Sequence, residues 1–136
     1  MKTETMLLRL AVLACALAGA GGAGAHHSTA AEFDQSKPVT FTGTVQKVMW
    51  MNPHIYTHIE VKQPDCSTVV YHVEGGAPNS LFRQGWRKDT LKAGTVVTVK
   101  GLRAKNPDSP NVGQATITSA DGSKFFSGDG PARAAE

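Results

Sequence analysis

Cysteine is scarce: the 136-residue chain holds only Cys15 and Cys66. Loss of an N-terminal leader would leave Cys66 alone, so no internal disulfide forms and stability has to come from packing. Long hydrophobic runs are lacking too. The run Leu10 to Ala18 is about half the roughly 20 residues that a spanning helix needs, which argues against a permanent transmembrane segment. There is no Gly-x-Ser-x-Gly elbow, no His-Glu-x-x-His pair and no glycine-rich phosphate loop. The usual hydrolase, zinc-protease and nucleotide-binding chemistries therefore have no carrier. Nor is one sign of charge in large excess. Removing residues 1–25 takes away Lys2, Arg9 and Glu4 and leaves a net charge of +2. That balance, carried on scattered lysines rather than a basic patch despite a pI near 9.0, makes nucleic acid an unfavoured partner.

What is present begins with the leader. Lys2 and Arg9 precede the apolar run, and Ala23-x-Ala25 offers the small residues at which a signal peptide is cleaved. The reading is a signal peptide over 1–25, export to the periplasm, and a mature chain that starts at His26. An alternative uses Val12-Leu13-Ala14-Cys15 as a lipidation box, but the apolar run before it is very short and Leu13 fits poorly. The remaining 111 residues suit one domain with a modest core.

Alternation with a period of two, punctuated by Gly, Pro, Asn and Asp, predicts an antiparallel β domain over 26–126 and a disordered tail over 127–136. Strands are expected at Val39 to Met51, with Gly43 as a bulge or tight bend, and after the Asn52-Pro53 break at His54 to Lys62. A turn at Gln63 to Cys66 leads to a third strand, Ser67 to Glu74. A short helix follows at Ser80 to Trp86, capped by Asn79 or Ser80, with Leu81, Phe82 and Trp86 buried. Then come a strand from Val96 to Leu102, a loop over 105–113, a strand from Gln114 to Ser119, and a last short strand around Lys124 to Phe126. The expected core is Val45, Ile55, Ile59, Val61, Val69, Tyr71, Val73, Leu81, Trp86, Val97 and Val99. This order, all-β with one short helix, predicts an OB-like five-stranded small barrel, with a small open β-sandwich as the alternative.

Eight segments then carry a resemblance: His26-His27-Ser28, Glu32-Phe33-Asp34, Lys37-Pro38-Val39, Gly43-Thr44-Val45, Trp50-x-Asn52-Pro53-His54, Glu74-Gly75-Gly76-x-Pro78-Asn79, Arg83-x-Gly85-Trp86 and Gly101-x-Arg103-Ala104-Lys105. Together they resemble a family of small exported bacterial proteins of unknown function. The resemblance spans nearly all of 26–126 and implies export, a compact β domain and a mature terminus near His26. It brings no activity and no catalytic residue. Met49 and Met51 around Trp50 depart from the more polar neighbours expected there.

All five histidines, His26, His27, His54, His58 and His72, lie beyond the leader. A terminal histidine offers its amine and its imidazole to one ion, a nitrogen-rich set suited to Cu(II), Ni(II) or Zn(II). A turn centred near Asp65 pairs the second and third strands so that residue numbers sum to about 130, which sets His58 opposite His72 on the outer face. Opposed Cβ atoms lie about 5 Å apart, close enough for two imidazoles to share an ion. His54 is about 13 Å from His58 along a strand and is not in reach of the same ion. The candidate metal ligands are thus His26, His27, His58 and His72, with Cu or Zn as the ion.

Other constellations carry less. Met49 and Met51 have the thioethers that Cu(I) prefers, but alternation puts Trp50 on the other face, which suits barrel core or rim better. Gly75-Gly76 before the helix reads as a turn rather than an anion cradle. Cys66 beside Asp65 makes a poor nucleophile, since the carboxylate disfavours the thiolate. The expected function is a non-catalytic exported binding module that takes copper or zinc. The alternative is a metal-free module for an envelope protein or small ligand, with Trp50, His54, Tyr56 and Arg83 on its binding face.

Overall fold

The computed structural model describes residues 31–125. Six strands and one helix follow in the order β1 (Phe33–Met49), β2 (Tyr56–Lys62), β3 (Thr68–Glu74), α1 (Pro78–Arg83), β4 (Val96–Ala104), β5 (Asn111–Ser119) and β6 (Lys124–Phe125). Strands β1, β2 and β3 form an antiparallel meander, and β1 also pairs with β4, which pairs with β5. A short parallel seam, His72 to Asn111 and Val73 to Val112, joins β3 to β5. The pairings therefore run β1-β2-β3-β5-β4 and back to β1, a ring of five strands with a helix between β3 and β4. This is the OB-like arrangement, partly open where β3 leaves β5.

The long β1 makes the ring possible. Its first part pairs with β4, from Phe33 opposite Ala104 to Thr44 opposite Val96, and its last part pairs with β2. This corrects the expected start at Val39, because Lys37-Pro38 does not end the strand. Pro38 instead sits beside an irregularity between Phe33 and Pro38, where a missing N–H is tolerated. Gly43 is not the bulge. A Cβ there would lie 2.5 Å from the Glu60 carbonyl oxygen and 2.7 Å from Ile59, so glycine permits the close approach of β2. The register shift comes between Val45 and Lys47.

Other boundaries move too. β1 ends at Met49 rather than Met51, and β2 begins at Tyr56, leaving His54 in the segment after the cis Asn52–Pro53 peptide. β4 extends to Ala104 and β5 starts at Asn111. Helix α1 begins at Pro78, with Ala77 as its N-cap and no side-chain cap. Pro78 supplies the preset φ of the first helical turn and needs no N–H there, so neither Asn79 nor Ser80 caps it.

The core joins Val45, Ile55, Ile59, Val73, Leu81, Trp86, Val97 and Val99 to Leu91, Val112, Ala115 and Ile117. Val61 and Tyr71 pack on its edge. Val69, expected in the core, is only half-buried, since it lies past the point where β3 pairs with β5. Phe82 is the clear miss. It is 56 % exposed, because α1 turns Leu81 inward and Phe82 outward. Phe33 is buried against the bare backbone of Gly113.

Candidate functional site

Strict alternation along β2 turns Ile55, Thr57 and Ile59 into the core and leaves Tyr56, His58 and Glu60 half-buried on the outer face. β3 pairs with β2 in the register that sums to 130, so His58 faces His72 and Tyr56 faces Glu74. The shift in β1 then places Lys47 opposite His58, and the parallel seam places Asn111 opposite His72. One row of side chains, Lys47, His58, His72 and Asn111, thus crosses four strands. Only its middle pair was legible in the sequence, since the other two members depend on a register shift and a long-range seam.

The two imidazoles stack with ring centroids 4.1 Å apart and planes 16° from parallel. Burial, then the neighbouring His72, then Lys47 hold His58 below the ordinary histidine value of 6.5. The cause is plain: a proton on His58 is poorly hydrated and adds a second positive charge to its surroundings. Neutral imidazole is the form that ligates metal. Its lone pair lies in the ring plane, so in nearly parallel rings the lone pairs do not converge. One ring must rotate before both hold a single ion. Among the described residues no group of three His, Cys, Asp or Glu side chains is arranged to hold a metal. His26 and His27 lie outside the described residues.

A second cluster adjoins the row. The His54 Nδ1 contacts the Glu74 carboxylate, and burial, then Glu74 and Glu32, push the Tyr56 phenol above its usual value while it hydrogen-bonds Glu74. Glu32 accepts a hydrogen bond from Asn111 Nδ2 at 3.1 Å, and its carbonyl accepts one from Lys105 N–H at 2.9 Å. Glu32 therefore lies right beside the Asn111–His72 pair.

The remaining expected face residues separate. Trp50 packs against the core while Met49 and Met51 are exposed, as alternation required. Arg83 is exposed in the last turn of α1, outside the sheet. Gly75 N–H donates to the Ile55 carbonyl and the Gly76 carbonyl accepts from Ile55 N–H; this is a turn that extends the β2–β3 pairing. Cys66 is free and exposed at a positive φ of 67°.

A family model described as a family of unknown function, DUF6152, matches residues 13–113. No curated protein and no solved structure matches the chain.

Proposed function

The chain belongs to the DUF6152 family of unknown function, and we propose that it is an exported, non-catalytic binding module. In this reading it takes Cu(II) or Zn(II) on the outer face of β2 and β3, through His58 and His72 and a histidine of the N-terminal segment. The observation that carries the proposal is the position of Glu32. Glu32 is tied to Asn111, which is opposite His72. His27 lies five residues earlier, a reach of at most about 18 Å for extended chain. An imidazole from that segment supplies the third ligand that the described residues lack.

Copper or zinc titration of three forms tests this: the processed protein, the same protein with one residue added before His26, and the His58→Ala, His72→Ala double variant. The extended form should bind more weakly because the terminal amine is displaced, and the double variant should lose the part of the affinity that the sheet provides. If all three bind alike, no folded site exists. Export and the terminus are checked by the intact mass of the protein recovered from the periplasm; a lipid-bearing Cys15 species would refute the free terminus at His26 and the unanchored periplasmic location, though not export.

A second reading rests on Lys47. Its ammonium faces His58 in the same row, which disfavours a bound cation and favours an anionic group on a small ligand or envelope protein, with no metal. Phosphate that protects the row while copper does not would select it.

A further inference from the structure

Away from the histidine face, the segment that follows Leu81 has an unusual distribution of charge. Between Phe82 and Lys92 lie Arg83, Arg87, Lys88 and Lys92 against Asp89 alone, all five exposed. In the rest of the described residues, seven Lys and Arg are matched by seven Asp and Glu. The whole net charge of the described domain therefore sits on one 11-residue segment. This corrects the expectation of scattered lysines with no basic patch.

The segment is not a loose loop. Leu81, Trp86 and Leu91 are buried at intervals along it, and Trp86 packs on Phe125 with centroids 5.5 Å apart. Arg87 N–H donates to Thr90 Oγ1 at 2.8 Å, and Thr90 N–H to the Arg87 carbonyl at 3.1 Å, closing a turn. The Arg87 guanidinium donates to the Phe82 and Trp86 carbonyls and lies 3.9 Å from the centre of the Phe82 ring. A large aromatic ring is thus held outward, 56 % exposed, with the Arg87 cation against it.

We propose that Phe82 to Lys92 is a docking surface for an anionic lipid membrane. Cations attract the phosphate headgroups, and an exposed aromatic ring beside them enters the boundary between headgroup and acyl chain. A polyanion with neither an apolar phase nor stackable rings would leave Phe82 without a role, and the near-balanced charge of the chain as a whole disfavours nucleic acid. The fixed geometry means that little conformational freedom is lost on docking. The surface is separate from the histidine row, and the proposal does not depend on metal binding.

The test is sedimentation of the processed protein with phosphatidylcholine vesicles, with and without phosphatidylglycerol. Binding should require phosphatidylglycerol and fall steeply when salt is raised from 0.1 to about 0.5 M. A Lys88→Glu, Lys92→Glu pair should weaken it about tenfold or more. A Lys100→Glu, Lys105→Glu pair, with the same net charge, should stay within about twofold. Phe82→Ser should cost several-fold without removing the salt dependence. Thermal unfolding of each variant shows whether it is folded, and the salt series on the unaltered chain stands whatever the variants do. Equal binding to neutral vesicles, no binding to either kind, equal loss in the two charge-reversed pairs, or tighter binding of a short single-stranded oligonucleotide would each overturn the proposal.

Discussion

The two faces of β2 are built from alternate residues of one seven-residue strand, and they do different work. Ile55 just before it and Thr57 and Ile59 within it are buried to 1 % exposure or less, and they hold the ring together by removing apolar surface from water. Tyr56, His58 and Glu60, one residue away from each, stay half-exposed and meet partners from β1 and β3. The difference teaches that stability and chemistry are separable here at single-residue resolution. A substitution on one face should leave the other function largely intact.

The largest effect should come from the inner face. Ile59→Ala removes buried methylenes and should cost about 2–5 kcal/mol in a denaturant melt. Next is Gly43→Ala, where the added methyl meets the Glu60 carbonyl; overpacking against backbone should cost about 1–3 kcal/mol. On the outer face, His58→Ala should change the stability of the metal-free protein by no more than about 0.5 kcal/mol. Equal losses for Ile59→Ala and His58→Ala would show that the faces are inverted.

The smallest effect is pH-dependent and belongs to the outer face alone. His58 is held below 6.5 in the folded protein by burial, His72 and Lys47. The unfolded chain therefore takes up the proton first, and the His58 contribution to stability is fully present above about 6.5 and is lost as pH falls through the lower folded value. A melt series from pH 7.5 to 5 should show this decline, and His58→Gln should flatten it. Metal affinity should fall over the same range, since protons compete for the imidazoles.

Much of this was legible because a strand has a period of two. The pattern from Ile55 to Val61 and from Val69 to Val73 assigned the inner face, and the Gln63 to Cys66 turn fixed the pairing that brings His58 to His72. Phe82 was misplaced because one turn of helix offers too few residues for a periodicity to declare itself. Phe33 was missed because it packs on a glycine 80 residues away in sequence, and no local pattern encodes that.

The sequence by itself determined the strand faces, the helix between β3 and β4, and the local hairpin that opposes two histidines, since each follows from alternation or from a short turn. Only the tertiary structure decided that Lys47 and Asn111 complete the row, that Glu32 lies beside Asn111 and His72, and that Phe82 is held outward. Those arrangements depend on a one-residue register shift, on a parallel seam between strands about 40 residues apart, and on buried anchors that hold a loop outward. Each is set by how distant segments pack, and packing between distant segments leaves no periodic mark on the chain.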